Sequence, residues 1–409
     1  MKEFFKVTDL EKVLEYRSCF PIVPIEEVVL FDTSGRILAA DIVSDADLPD
    51  CKRSAMDGYA VCASSTFGAS AENPAYLTLK GTVPMGELPC FSIGPGEAGR
   101  ISTGGMLPDG SDSVVMVEHT EAIDDNVIEV YGSIAPCKNV LDVGEDIKKE
   151  EIVLYNGQKI RPQETGLLAA LGYEVVKVYK QPVIGIISTG DEVVPVNEIP
   201  GTGRIRDVNT YTLASLIRDA GGVPISYGIV RDDFDDLYHK CMLALARTDM
   251  VLISGGSSVG VRDFTIDVLS SLPDPSILVH GISISPGKPT ILASVGNRPF
   301  WGIPGHVVSA MVVFEVVVRP FIEHIGGLSL KHKRFVKPTA LLSRNISSAQ
   351  GRRDYIRVRL IKKGDTLWAE PILGKSGLIN TMIKADGLIE IDMNTEGLDK
   401  GSIVEVITL

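Results

Sequence analysis

The sequence lacks the residue spacings of a zinc site or a disulfide framework. Its six cysteines stand at positions 19, 51, 62, 90, 137 and 241 and never form a C-x-x-C pair. None of its six histidines lies four residues from another, so there is no H-x-x-x-H ligand pair. Widely spaced cysteines are typical of reduced thiols in a cytoplasmic protein. We therefore expect a cytoplasmic location and neither zinc nor disulfides.

The sequence also has no apolar run of about 18 residues, so we expect no membrane span. The N-terminal stretch MKEFFKVTDLEKVLEY has an acidic amphipathic pattern without the apolar core of a signal peptide. Basic residues are outnumbered, 40 against 53 acidic ones, and the net charge is −13. A broadly basic face for nucleic acid is therefore not expected, although a local basic pocket is compatible with this charge.

A chain of 409 residues is too long for one core, and we expect about two to four domains. Near the N-terminus, Thr8–Phe20 is predicted to be a helix with Thr8 as N-cap and Glu11 in the capping-box position. Residues 48–140 are predicted to form a β-rich insertion, because alternating strands are separated by Gly/Pro turns.

Strands and helices alternate from Pro182 to the apolar helix Val307–Ile325, which predicts a parallel sheet with right-handed crossovers. Within this part, Asn209 is predicted to cap a helix that runs to Ala220. The residues that follow Gly326-Gly327 alternate as strands do and predict a small C-terminal β domain.

Two buried-strand patterns in the α/β part run directly into small polar loops. Val183–Ser188 is followed by the loop TGDE, and Met250–Ser254 by the loop GGSSVG. Ligands of open α/β sheets bind beyond the carboxyl ends of the strands. One loop offers carboxylates and the other backbone N–H groups, a pairing that suits a phosphate-bearing substrate held with a metal ion. Each loop also has a purely structural interpretation: the aspartate of TGDE would cap the next segment, and GGSSVG would form a tight turn.

Other polar motifs also have a structural and a functional interpretation. Lys288 is either a solvated loop lysine or a cation in a rigid turn, and the N–H groups after Pro304-Gly305-His306 either bind an anion or are capped. Asp57 on its own is more typical of a structural residue in a turn. Arg352-Arg353 is more typical of a pair of solvated charges.

The order of the motifs is more specific than any one of them. R-S-A-M-D-G-Y-A is followed by R-I-S-T-G, G-E-D-I, S-T-G-D-E, G-G-x-S-V-G, P-G-K-P, P-G and G-R-R-D-Y. This succession resembles the molybdopterin molybdenumtransferase family, which comprises the MoeA-like proteins and the gephyrin E domain. The resemblance covers essentially the whole chain.

The resemblance implies an elongated multi-domain α/β and β subunit that forms homodimers, with the site at the subunit interface. A small linking α/β domain is expected at 22–44 and 140–178, and a β-rich domain at 45–139. A MogA-like, molybdopterin-binding parallel α/β domain is expected at 1–21 and 179–327, and a C-terminal β barrel at 328–409.

The resemblance also implies an enzyme that converts adenylylated molybdopterin and molybdate to molybdenum cofactor and releases AMP with Mg²⁺. Expected partners are small-molecule substrates, a molybdopterin adenylyltransferase and molybdoenzymes. The matched catalytic positions are Asp57, Glu192, Asp232 and Asp263, and the last three are also the implied metal ligands. The matched cofactor and oxyanion positions are Thr103, Asp146, Gly255, Gly256, Ser258, Gly260, Lys288, Ser309, Arg352 and Ser376.

Two departures from the family pattern fall on the oxyanion half of the implied site. Ser285 stands where the family usually has lysine, and His306 where it usually has asparagine. Loss of one cation would remove about 1.5–3 kcal/mol of oxyanion binding, and a protonated His306 would partly replace it. Two alternatives therefore stay open, a non-catalytic pterin- or nucleotide-binding paralogue and an insertase for another oxyanion such as tungstate.

Overall fold

The chain divides into two units in the computed structural model, which describes residues 7–255, 261–333 and 337–409. One unit consists of Asp41–Tyr155 and Leu167–Gly172, and the other holds the rest of the described chain. Within these ranges, no helix is long and apolar enough to cross a membrane. The predicted division into four domains stays a prediction.

The N-terminal helix begins later than predicted. Helix α1 spans Leu10–Glu15 and continues as a 3₁₀ turn, Tyr16–Cys19, before strand β1, Ile25–Val29. The prediction that Thr8 caps this helix is wrong, because Thr8 is held in an extended bridge. Its N–H donates to the Gly281 carbonyl (2.9 Å), and its own carbonyl accepts from the Ser283 N–H (3.0 Å). This tertiary pairing overrides the local capping pattern.

The unit that contains residues 41–155 is β-rich, as predicted. Six of its strands form one sheet in the order β7-β4-β6-β5-β9-β8, over a core that includes Val61, Leu77 and Ile128. The strands of the unit are β2 Ile42–Val43, β3 Arg53–Ser54, β4 Gly58–Val61, β5 Ala75–Thr82, β6 Glu97–Ile101, β7 Ser113–Met116, β8 Thr120–Ala122, β9 Val127–Val130, β10 Val140–Leu141 and β11 Ile152–Leu154.

Helix α2, Pro162–Ala170, comes next and is followed by strand β12, Val175–Tyr179. Strand β12 pairs antiparallel with β1, with Ile25 opposite Tyr179. The predicted strand at 174–179 is thereby confirmed.

The α/β part is built on a six-stranded sheet in the order β16-β13-β17-β21-β20-β18. Its strands are β13 Val183–Thr189, β14 Val193–Val194, β15 Ile205–Arg206, β16 Val223–Val230, β17 Met250–Ser254, β18 Pro275–His280, β19 Ile284–Ser285, β20 Ile291–Val295 and β21 Arg298–Ile303. Its helices are α3 Asn209–Asp219, α4 Phe234–Leu245, α5 Val261–Ser271, α6 Val307–Val313 and α7 Arg319–Ile325.

The prediction of a parallel sheet is correct for four of these six strands. Strands β16, β13, β17 and β21 are parallel, whereas β20 pairs antiparallel with β21, and β18 at the edge pairs antiparallel with β20. The reversal occurs at Gly296-Asn297, where φ is +53° and +61°. Two consecutive positive φ values are what a two-residue hairpin turn requires. The prediction overlooked this turn.

Apolar residues cover both faces of the sheet. Helices α3, α6 and α7 pack on one face and α4 and α5 on the other. Trp301 and Phe321 meet edge to face, with ring centroids 4.9 Å apart, in the first of these two layers. The predicted helix Val307–Ile325 contains a π-helical turn, Phe314–Val318, between α6 and α7. Pro320, which has no N–H to donate, is the second residue after this turn.

The C-terminal β domain is a closed five-stranded barrel. Strand β24 pairs with both β25 and β26, which closes the ring β24-β25-β22-β28-β26. Strand β19 of the α/β part adds to β24 in parallel. The strands are β22 Thr339–Leu342, β23 Ile346–Ser347, β24 Arg353–Lys363, β25 Thr366–Pro371, β26 Gly387–Ile391, β27 Gly397–Leu398 and β28 Ile403–Thr408, with helix α8 at Asn380–Ile383.

Candidate functional site

A cavity of about 670 Å³ lies at the carboxyl ends of β13, β16 and β17. Its walls come from the loop after β13, the start of α3, the end of β17, the loop before α6 and a turn of the barrel domain. This is the position at which an open α/β sheet binds its ligands. The volume falls within the range of small-molecule sites.

Carboxylates gather at one end of this cavity. Glu192 follows β13 and Asp232 follows β16, and both line the cavity. The Asp232 N–H lies 3.4 Å from Asp191 Oδ1. Burial raises the pKa of Asp232, and the negative charges of Asp191 and Glu192 raise it further. The predicted Glu192 and Asp232 are thus brought together, and Asp191, the other carboxylate of the TGDE loop, adds a third charge.

The carboxylate end of the cavity fits a hard cation that is shared with a ligand. Asp232 Oδ1 is buried and has no hydrogen-bond partner among the described residues. No group of three or more histidine, cysteine, aspartate or glutamate side chains stands close enough to hold a metal within the described chain. The side chain of Asp263 lies outside the described residues. A magnesium ion, which keeps waters and binds substrate phosphates, suits such a small carboxylate set.

The two strand-end loops approach each other backbone to backbone. Gly255 has φ +131°, and a Cβ at this position would lie 2.1 Å from the Thr189 carbonyl oxygen. Only glycine fits such a contact. The predicted Gly256, Ser258 and Gly260 lie outside the described residues, so their backbone N–H groups stay a prediction.

Asn209 joins three elements of the cavity. Its Nδ2 donates to Ser254 Oγ at 2.7 Å and to the Gly305 carbonyl at 2.8 Å. The prediction of an N-cap is wrong, because Asn209 is already the first residue of α3 and its side chain points to the ends of β17 and β21. Its Oδ1 is buried and has no partner among the described residues. Sequence reasoning missed this role because the partners are distant along the chain.

His306 and Ser376 connect the α/β part to the barrel domain beside the cavity. His306 Nδ1 lies 2.9 Å from Ser376 Oγ, and the Val308 N–H donates to the Ser376 carbonyl at 3.1 Å. His306 also lines the cavity, together with Gly377 of the same barrel turn. Ser309 is buried in the first turn of α6. Sequence reasoning had noted His306 but had not paired it with Ser376.

The predicted oxyanion cations lie on two segments that strand pairing brings side by side. Ser285 of β19 is opposite Asp354 of β24. Lys288 follows β19 and its side chain is exposed. Arg352 precedes β24, and its Nε lies 2.9 Å from Asp354 Oδ1. Arg352 is therefore an exposed cation with a buried carboxylate partner.

Asp57 and Thr103 are brought together in the β-rich unit. Asp57 Oδ1 accepts from the Thr103 N–H (2.7 Å) and from Thr103 Oγ1 (3.0 Å). These two hydrogen bonds, the backbone one first, lower the pKa of Asp57. The turn requires Gly58, because a Cβ there would lie 1.9 Å from the Val115 carbonyl oxygen. Asp146 is exposed in the same unit, and its N–H donates to the Leu48 carbonyl at 3.1 Å.

Family models match almost the entire chain. The MoeA N-terminal region (domain I and II) matches residues 8–172, a probable molybdopterin binding domain matches 185–324, and the MoeA C-terminal region (domain IV) matches 339–409. The chain belongs to the molybdopterin molybdenumtransferase family. The predicted resemblance is thereby confirmed.

Relatives in this family align over nearly their full length. A putative molybdopterin biosynthesis protein of Methanocaldococcus jannaschii is 38% identical, over 94% of this chain and 92% of its own. The molybdopterin molybdenumtransferase of Haemophilus influenzae is 32% identical, over 93% of each chain. A molybdopterin biosynthesis MoeA protein of Pyrococcus horikoshii has a similar structure, with a TM-score of 0.84 and 30% identity over 99% of this chain and 100% of its own. These relatives agree with the predicted multi-domain fold and with a role in molybdenum cofactor biosynthesis.

Proposed function

We propose that this chain inserts molybdate into adenylylated molybdopterin and releases AMP in a magnesium-dependent reaction. The observation that supports this most is the cavity at the strand ends, which Glu192 and Asp232 line together with Gly255. Membership of the family supplies the reaction class.

Glu192 and Asp232, with Asp263, would hold the magnesium ion. The buried, unpartnered Oδ1 of Asp232 and its repulsion by the neighbouring carboxylates support this assignment. When bound, magnesium withdraws negative charge from the two adjoining phosphates of the substrate. Water adds across the anhydride bond: its hydroxyl joins one phosphorus atom, and its proton goes to the phosphate that leaves as AMP. The two molybdopterin thiols would bond to molybdenum, and their protons would leave with one molybdate oxygen as water.

Backbone N–H groups of the loop 255–260, including those of Gly256, Ser258 and Gly260, would bind the phosphates. Asn209 would keep Ser254, which immediately precedes this loop, at a fixed distance from Gly305, because its amide group donates hydrogen bonds to both residues. Fixed donors of this kind lower the reorganisation needed when charge develops.

Molybdate would bind on the barrel side of the cavity. Lys288 and Arg352 would supply positive charge, and Ser309 and Ser376 would supply hydroxyl donors. The His306–Ser376 contact supports this assignment because it holds the Ser376 hydroxyl next to the start of α6. Two cations and several hydroxyl donors suit a tetrahedral dianion.

The remaining expectations belong to the same proposal. Asp57, Thr103 and Asp146 of the β-rich unit would act on the substrate, and the enzyme would work as a cytoplasmic homodimer. Its partners would be the adenylyltransferase that supplies its substrate and the molybdoenzymes that receive its product.

AMP release from adenylylated molybdopterin tests the proposal. The full chain with Mg²⁺ is expected to release AMP and form cofactor when molybdate is added. Release with tungstate but not with molybdate would instead identify a tungstate insertase. Binding of the substrate without AMP release in the presence of either oxyanion would identify a non-catalytic paralogue and overturn the proposal.

A further inference from the structure

A second cavity, of about 470 Å³, shares no lining residue with the one described above. It lies between the 3₁₀ turn after α1, the end of α7 and the turn that follows α7. Its lining includes Arg17, Ile22, Tyr179, His324, Leu328 and Lys331.

Two cations line this cavity against one carboxylate, although the chain as a whole has a net charge of −13. Arg17 and Lys331 both line it, and neither forms an ion pair within the described ranges. Glu323 is the one carboxylate among the lining residues, and it is already paired with Lys333. Two cations in one cavity, without a carboxylate available to them, favour an anionic ligand.

His324 lines the same cavity. Its Nε2 lies 3.2 Å from the Phe20 carbonyl, which places the proton of the neutral ring on Nε2. Burial lowers the pKa of His324, and the positive charge of Arg17 lowers it further, against the opposing hydrogen bond to Phe20. Since His324 and Arg17 both line the cavity, an anion bound there would counteract this effect of Arg17.

The walls of the cavity are closely packed and leave no room for side chains at two glycines. Gly327 has φ +83°, and a Cβ there would lie 2.3 Å from Tyr179 Cδ2. Gly157 has φ +78°, and its Cβ would lie 2.7 Å from Ser329 Cβ. The Tyr179 hydroxyl in turn contacts Asn156 Oδ1 at 3.1 Å. This packing gives the cavity a defined shape.

We propose that this cavity binds a small phosphate monoester, with the phosphate between Arg17 and Lys331 and the organic group against Ile22 and Leu328. A guanidinium binds two phosphate oxygens at once, and a second cation matches the second negative charge of a phosphate dianion. The apolar walls would be covered only by a ligand that has an organic body. The proposal does not depend on the molybdenum reaction.

Isothermal titration calorimetry of the full chain with phenyl phosphate and with inorganic phosphate tests this site. Phenyl phosphate is expected to bind, and inorganic phosphate to bind more weakly because it leaves the apolar walls uncovered. Arg17→Gln and Lys331→Gln are each expected to weaken phenyl phosphate binding by about tenfold or more. Arg17→Lys is expected to lose less affinity for phenyl phosphate than Arg17→Gln, because it keeps the positive charge.

Two further variants locate the binding. Lys12→Gln removes an exposed cation of α1 that does not line the cavity, and it is expected to leave the affinity unchanged. Lys288→Gln, at the proposed molybdate side, is also expected to leave it unchanged. Absence of binding, binding that survives the loss of Arg17 and Lys331, equal affinity for inorganic phosphate, or loss of binding in Lys288→Gln would each overturn the proposal.

Discussion

The amide of Asn209 holds Ser254 at 2.7 Å, and through this contact the start of α3 is fixed to the end of β17. The same Nδ2 also donates to the Gly305 carbonyl, so one buried side chain links the end of β17 to the turn before α6 beside the cavity. The positions of these two segments therefore depend on a hydrogen-bonded residue that need not touch the reacting atoms.

Replacement of Asn209 by alanine is expected to damage both the fold and the reaction. Ser254 Oγ and the Gly305 carbonyl would lose their donor, which lowers the free energy of unfolding by about 1–3 kcal/mol. Displacement of the loops would lower kcat/KM for AMP release by about tenfold or more. Urea unfolding and the AMP assay measure the two effects. Ser215→Ala, on the exposed face of the same helix, is the matched control, and equal behaviour of the two variants would contradict this role.

Gly255→Ala is expected to destabilise the protein strongly. The new methyl group would meet the Thr189 carbonyl oxygen at 2.1 Å, in a backbone conformation that L-residues rarely adopt. We expect the free energy of unfolding to fall by more than about 2 kcal/mol. Gly201→Ala, where a Cβ meets no atom within 4 Å, should change it by no more than about 1 kcal/mol. A Gly255→Ala protein as stable as the Gly201→Ala protein would show that the close approach to Thr189 is incorrect.

His306 and Ser376 are expected to act as a pair. The variants His306→Ala and Ser376→Ala and the double variant form a cycle whose readout is kcat/KM for molybdate insertion. Because Nδ1 and Oγ share one hydrogen bond, we expect a coupling free energy of about 0.5–1.5 kcal/mol. Strictly additive effects would mean that the contact does not support the molybdate side.

Asp57 is expected to titrate below the usual range of an aspartate. Thr103→Val removes the hydroxyl donor but keeps the backbone N–H, so the pKa of Asp57 should rise part of the way toward its ordinary value. Because the pKa is lowered in the folded state, the contribution of this group to stability is present above the unfolded pKa of about 3.9 and is lost as the pH falls through the folded value. Carboxyl NMR titration measures the pKa of Asp57 in the wild-type protein and in the variant. An unchanged pKa in Thr103→Val would exclude the hydroxyl as a cause.

Strands that are uninterrupted runs of apolar residues could be predicted from the sequence. The apolar runs that begin at Val183 and Met250 form strands that are buried except at Val183, and both strands lie where they were predicted. The position of the cavity at the loops after these strands could also be predicted, because open α/β sheets bind ligands beyond the carboxyl ends of their strands. The family resemblance rested on the order of many short motifs. It therefore identified site residues in loops, where no helical or strand periodicity is present.

Features that depend on distant pairing could not be predicted in this way. Thr8 has the local pattern of a helix cap, yet its backbone pairs with residues more than 270 positions away. Asn209 likewise looks like a cap, but its partners lie 45 and 96 positions further along. In each case tertiary hydrogen bonds compete with the local preference and prevail.

The most direct test of the central claim is single-turnover AMP release by the Asp232→Asn variant. The change keeps the shape of the side chain and removes the charge that Asp232 contributes beside Glu192 and Asp191. Loss of a magnesium ligand is expected to slow AMP release by about a hundredfold or more, with the fold intact in circular dichroism. Asp235→Asn, an exposed carboxylate in the first turn of α4, should release AMP at the wild-type rate. Wild-type AMP release by Asp232→Asn at limiting Mg²⁺ would contradict the assignment of this cavity as the site of the reaction.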